Sequence, residues 1–168
     1  PRKLYRRNMK KATDSEGNEY VALNLADAQL ATKYQRDEAF RYFKDDDKGP
    51  YFYNAKVSRV VDGDTVDVEL DLGFEVMTRK RIRVYGINTP ETRTRDKAEK
   101  ARGIEAKNML NHLNKLFGPT VFLASHGRGK YGRTLGDLWF QVDAKNWINY
   151  SQLMVGEGLA EPYFGARR

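Results

Sequence analysis

The hydrophobic period of this chain changes near its middle, and that change limits what it can fold into. From Tyr51 the apolar residues recur at every second position: "YFYNAKVSRVV" is followed by "TVDVEL", where Val66, Val68 and Leu70 alternate with Asp67 and Glu69. A period of two belongs to strands with one buried face. "DLG" at 71–73 supplies a turn, and "FEVMTRKRIRVYGI" returns as a further strand region, with Ile82 and Val84 facing away from Arg81, Arg83 and Tyr85. From about Asp96 to Phe117 the period becomes helical: Ala98, Ala101, Ala106, Met109, Leu110, Leu113 and Phe117 form one stripe, stopped by Gly118 and Pro119. "TVFLAS" and "TLGDLWFQV" then read as two more strands, and "NWINYSQLMVGEG" as a closing helix before "LAEPYF".

Three strands, a helix, two strands and closing helices is the order of a five-stranded Greek-key barrel, the OB-fold, with its helix between strands three and four. The expected class is α+β, mainly β. Residues 49–168 form the barrel domain in this reading, and residues 1–48 an N-terminal extension. The extension has a basic start, a polar turn at "TDSEGNE", and one expected amphipathic helix over "LADAQLATKYQRDEAFRYF", where Leu30, Ala31, Tyr34, Phe40 and Phe43 are near helical spacing. Asp45, Asp46 and Asp47 then break it together with Gly49 and Pro50. They read as a solvated charge run and are assigned no site.

Composition removes whole classes of chemistry. The 168 residues include no cysteine, so disulfides, thiolate metal sites and cysteine nucleophiles are excluded together. Any metal must then bind oxygen or imidazole. The basic start leads into no apolar run, so neither a signal peptide nor a membrane span is expected, and the chain reads as soluble and intracellular. Residues 79 to 133 hold fourteen Lys or Arg against four acids, a net +10 that exceeds the +7 of the whole chain. The remainder is therefore slightly acidic. A basic segment inside a folded region suits a polyanion such as nucleic acid, although a solvated helix face gives the same count.

Three stretches carry polar residues where a purely structural role is awkward. In "VVDGDTVDV", Asp62 and Gly63 read as a turn, while Asp64 opens the next strand and suits a hard cation such as Mg²⁺ or Ca²⁺. In "RVYGINTPETRTRD", Pro90 pushes Thr89 into extended backbone, which frees the Thr89 carbonyl or the Asn88 side chain to point outward. Glu91 is then either a surface acid balanced by Arg93 or Arg95, or a general base beside arginines that hold phosphate. In "GRGKYGRTL", the glycines permit close approach of a ligand while Arg128, Lys130 and Arg133 supply cations. Tyr131 has two readings there, core packing or stacking on a base. His112 and His126 read as structural or surface residues.

Taken in order, "DGDTV", "RVYGINTPET", "KYGR" and "GLA" resemble the staphylococcal nuclease family, over about residues 51 to 164. The compact "INTPETRTRD" form with an extension before it is most similar to the versions carried by tailed bacteriophages, which would place the protein in a host cytoplasm. The resemblance implies that Asp64, Asn88 and the Thr89 carbonyl bind a divalent cation, Ca²⁺ first and Mg²⁺ second. It gives Glu91 the attacking water, and Arg83 and Arg133 the phosphate. Lys130 and Tyr131 match residues that touch a terminal phosphate and its nucleotide, and Tyr163 falls near the nucleotide-stacking tyrosines. It implies hydrolysis of DNA, and of RNA too, with little sequence preference and 3′-phosphate products. A noncatalytic nucleic-acid-binding barrel is the alternative, and the extension could bind a protein partner. Two positions depart from the family pattern. Asn88 stands where an aspartate is usual, and Gly129 where an acid often precedes "KYGR". Asp67, Glu69 or Asp71 are the acids weighed as compensation for Asn88.

Overall fold

The computed structural model describes residues 11–13, 19–21, 31–32, 51–144 and 146–164. Three short strands, β1 (Lys11–Thr13), β2 (Glu19–Val21) and β3 (Ala31–Thr32), precede β4 (Phe52–Asp62), β5 (Thr65–Asp71), β6 (Met77–Val84) and β7 (Gly86–Asn88). Helix α1 (Lys97–Phe117) is followed by β8 (Thr120–Arg128), β9 (Thr134–Gln141) and β10 (Asn146–Asn149), and then by helix α2 (Tyr150–Gly156) and β11 (Glu161–Tyr163). β4, β5 and β6 form an antiparallel meander, β6 runs parallel to β9, and β9 pairs with β8, which returns to β4. The five strands therefore close into a barrel with α1 between its third and fourth strands, which is the expected OB-fold.

Closure follows from the alternation in the sequence. Val66, Val68 and Leu70 are buried in the barrel with Val57, Val60, Ile82 and Val84, whereas Asp67 and Glu69 lie on the outer face against Arg81 and Arg79. Helix α1 covers one end of this core with Ala106, Met109, Leu110 and Leu113. Burial of each large side chain contributes roughly 1.5–3 kcal/mol. Asp96 caps the helix by accepting from the amides of Ala98 and Glu99, and the Gly118 N–H bonds back to Asn114 O. Ala98 and Ala101, expected in the buried stripe, are exposed, and burial in α1 begins at Gly103. Among the described residues no helix is long and apolar enough to cross a membrane.

Three local expectations change. The closing helix starts at Tyr150, and Asn146–Asn149 are instead a strand antiparallel to β9, with Ile148 opposite Phe140 and Asn149 opposite Trp139. The reason is the Asn149 side chain, which accepts from the Gln152 N–H at 2.9 Å and so caps the helix there. "FEVMTRKRIRVYGI" is not one strand: residues 72–76 form the hairpin tip, and a turn at Tyr85, followed by Gly86 at φ 85°, separates β6 from β7. In the extension, Ala31 and Thr32 are extended and pair with Trp147 and Asn146 rather than continuing a helix. The rest of that expected helix, and Asp45 to Asp47, lie outside the described residues.

Candidate active site

The ends of β5, β6 and β7 meet at one buried carboxylate. Asp64 directly precedes β5, and the register of the β5–β6 ladder sets Thr65 opposite Arg83. Asp64 Oδ1 accepts from Thr65 Oγ1 at 2.9 Å, and Oδ2 accepts from the Thr89 N–H at 3.1 Å. Arg83 Nη2 lies 3.3 Å from the same Oδ2 and donates to Asn88 Oδ1 at 3.1 Å. Its Nη1 donates to two main-chain carbonyls, Val84 O at 2.9 Å and Ile87 O at 2.8 Å. One guanidinium thus ties the end of β6 to β7 and to Asp64, and none of these contacts uses Nε.

Backbone packing sets the position of these groups. The Tyr150 hydroxyl donates to Gly63 O across the core, and Val84 N donates to Asp64 O at 2.8 Å. Burial first, and the Asp64 carboxylate second, raise the Tyr150 hydroxyl well above its ordinary pKa, so it stays a donor. The Asp62 carboxylate accepts from Thr92 Oγ1 at 2.6 Å, which joins the turn to the loop after Pro90. Two glycines allow that loop and turn to press against α1. A Cβ on Gly103 would meet the carbonyl oxygens of Pro90 and Glu91, each at 2.7 Å, and one on Gly63 would meet Ala106 Cβ at 2.7 Å. Glu91 is exposed at the end of this braced loop.

Beside Arg83 lies a cavity of about 160 Å³ whose lining includes Arg133, Tyr85, Leu135, Tyr163 and Phe164. The β11–β7 pair brings Tyr163 to it by setting that residue opposite Gly86. Tyr131 is 94 % exposed, with φ at 60°, and Arg133 Cζ lies 5.9 Å above its ring. Core packing is thereby ruled out for Tyr131. Gly129, where an acid was the family expectation, packs against Leu135, which a Cβ would approach to 3.0 Å. A wider groove of about 520 Å³ opens on the other side of Asn88, lined among others by Pro90, Glu99, Arg102 and Glu161.

Asp64, Arg83, Asn88 and Thr89 are therefore in direct contact, and Arg133 and Tyr163 share a cavity wall with Arg83. The side chain of Lys130 lies outside the described residues. Tyr85, Leu135 and Phe164 were not anticipated as lining residues. An aromatic beside each expected contact, Tyr85 after "RV" and Phe164 after Tyr163, was the available signal. Behind the site, His126 stacks on Tyr85 with ring centroids 4.0 Å apart, and burial pulls its pKa down to about 4. Asp137 accepts from Asn149 Nδ2 at 3.0 Å, and burial raises it to about 7 against that bond and one from Trp139.

Strand order and closure define an OB-fold, and a cavity lined by Arg83 and Arg133 lies beside its buried carboxylate. Residues 81–168 match the family model described as staphylococcal nuclease homologue, and the chain belongs to that family. The match begins after Asp64, so the first of the four motifs lies outside it. An uncharacterized endonuclease of Escherichia coli O157:H7 is 33 % identical over 110 residues, covering 66 % of this chain and 61 % of its own length. Protein ParB of Escherichia coli is 30 % identical over 112 residues, 64 % of this chain and 56 % of its own. Endonuclease YhcR of Bacillus subtilis (strain 168) is 30 % identical over 118 residues, 67 % of this chain but 9 % of its own length. The chain thus spans less than two thirds of each of these relatives.

Proposed function

We propose that this chain is a metal-dependent nuclease that hydrolyses phosphodiester bonds of DNA, and of RNA as well, with little sequence preference, leaving 3′-phosphates. The observation that carries the reading is Arg83, 9 % exposed and fixed by two carbonyls, Asp64 and Asn88 on the wall of a cavity that Arg133 also lines. A guanidinium held in this way has no freedom left to lose when it meets phosphate. Its attraction for charge developing on the equatorial oxygens is worth on the order of 2–4 kcal/mol per contact.

A divalent cation, Ca²⁺ first and Mg²⁺ second, would be held by Asp64, Asn88 and Thr89. The donor set suits a hard ion, since it offers only oxygen: a carboxylate with lone pairs beyond its protein bonds, an amide oxygen and a carbonyl. Thr89 Oγ1 is buried there without a hydrogen-bond partner, a further oxygen whose need a cation or its water shell would meet. Among the described residues no three acidic or histidine side chains converge. A bound cation supplies charge neutralisation at the phosphate.

The remaining chemistry belongs to the chain. Arg83 and Arg133 hold the phosphate, while Lys130, Tyr131 and Tyr163 hold the nucleotide. Glu91 takes a proton from water as the water oxygen bonds to phosphorus. The P–O5′ bond breaks, and the 5′-oxygen leaves with its electron pair to be protonated from solvent. Digestion of single- and double-stranded DNA and of RNA tests this reading. Wild type should degrade them with Ca²⁺ or Mg²⁺ and stop with EDTA, and Glu91→Gln and Arg133→Ala should each lose about a hundredfold or more. DNA that is bound but intact with either metal would mark the noncatalytic barrel instead.

A further inference from the structure

Asn88 leaves the cation site one negative charge short of the family pattern, and the acids weighed from sequence as replacements are engaged elsewhere. Asp67 accepts from Arg81 at 2.7 and 3.0 Å, and Glu69 lies 3.8 Å from Arg79. Asp71 accepts from the Gly73 amide at the far end of the hairpin, at 2.8 Å. A different acid is brought to Asn88 by the fold. The antiparallel register of β7 and β11 sets Glu161 directly opposite Asn88, with Pro162 opposite Ile87. Residues so paired share one face of the ladder, with Cβ atoms about 4.5–5.5 Å apart. A glutamate side chain is long enough to cover that distance.

Two further observations place this residue beside Asn88. Glu161 and Asn88 line the same 520 Å³ groove. Glu161 is also fixed on its strand between the buried Ala160 and Pro162, whose ring restricts φ. The other charged residues that line the groove are Glu99 and Arg102. The groove therefore carries more negative than positive charge next to Asn88, which suits a cation better than a phosphate.

We propose that Glu161 supplies to the cation site the negative charge that Asn88 does not carry. The proposal rests on the reading that Asp64, Asn88 and Thr89 hold a divalent cation. It makes Glu161 a positioning residue for the ion, acting from the strand opposite. Charge at this site is thus divided between the turn before β5 and β11, and β11 reaches two recesses, with Glu161 in the groove and Tyr163 in the cavity.

Calorimetric titration of the full chain with Ca²⁺ tests this without reference to turnover. Glu161→Gln should weaken Ca²⁺ about tenfold, as expected for removing a unit charge a few ångströms from a divalent ion. Asn88→Asp alone should tighten it, and the double variant N88D/E161Q should return to within about threefold of wild type. Glu99→Gln, the same charge change in the same groove, should have at most a threefold effect. Unaltered melting curves without metal confirm that each variant folds. Unchanged Ca²⁺ affinity in Glu161→Gln overturns the proposal, as does a loss no larger than that of Glu99→Gln or a double variant as weak as Glu161→Gln. Wild type that binds neither Ca²⁺ nor Mg²⁺ removes the cation reading itself.

Discussion

Arg83 does at the residue scale what a single cationic side chain rarely does, since it braces two strands and a carboxylate while lining a cavity. Its four fixed contacts need two nitrogens in a plane. A lysine has one nitrogen and cannot reach Val84 O, Ile87 O, Asn88 Oδ1 and Asp64 together. Arg83→Lys should therefore lower stability by about 2–4 kcal/mol, because two carbonyls and a carboxylate lose their partner. Urea unfolding measures this, and a change under about 0.5 kcal/mol would show that the brace is dispensable. The arginine was legible in the sequence by its place five residues before Asn88. Its bracing was not, since carbonyls 84 and 87 turn toward it only where the turn at Tyr85 and Gly86 breaks the strand.

Two elements, α1 and the loop from Pro90 to Asp96, are positioned at the element scale by the absence of a side chain. On helix propensity alone, alanine at position 103 would stabilise α1 by about 1 kcal/mol. The geometry reverses the sign, since the new Cβ would lie 2.7 Å from two carbonyl oxygens that cannot both move without shifting Glu91. Gly103→Ala should thus cost about 1–3 kcal/mol and reduce nuclease activity well beyond what the stability loss explains. Gly156, at the end of α2, is the contrast: nothing lies within 4 Å of its Cβ position. Gly156→Ala should be stabilising by about 0.4–1 kcal/mol and leave turnover alone. Equal effects at both positions would remove the packing account. The existence of α1 was clear from its stripe and the stop at Gly118 and Pro119, but which glycine it needs was not, because close approach is a property of two elements.

For the whole molecule, the outer face of β8 and β9 links stability to pH. Asp137 is half-buried by area, yet its carboxylate is packed well enough to be raised to about 7. Its contribution is complete below its unfolded pKa of about 4 and is lost as pH rises through 7. His126 acts in the opposite sense: lowered to about 4, it contributes fully above its unfolded value near 6.5 and loses that contribution as pH falls. Between about pH 4 and 6.5 the two offset each other. Asp137→Asn should gain on wild type steadily from about pH 4 to 7 and then run parallel, whereas His126→Phe should gain as pH falls from 6.5 to 4. Urea unfolding over that range reads both, and variant curves parallel to wild type throughout would refute the assignment. A histidine beside a glycine-rich loop gave no hint of this in the sequence, because the stacking partner Tyr85 comes from another strand.

The sequence by itself determined the periods of the strands and of α1, the stop at Gly118 and Pro119, the absence of thiol chemistry, and the order of motifs that identifies the family. These are local or compositional properties, set by backbone geometry and side-chain type within a few residues. It failed where a second element intervenes. Asn146–Asn149 pair with β9 instead of extending α2. Only the tertiary structure decided that Asp64 meets Arg83 and Thr89, that Gly103 seats the loop bearing Glu91, and that Glu161 stands across from Asn88. Barrel closure and strand register create those meetings. Neither can be read from the residues that they bring together.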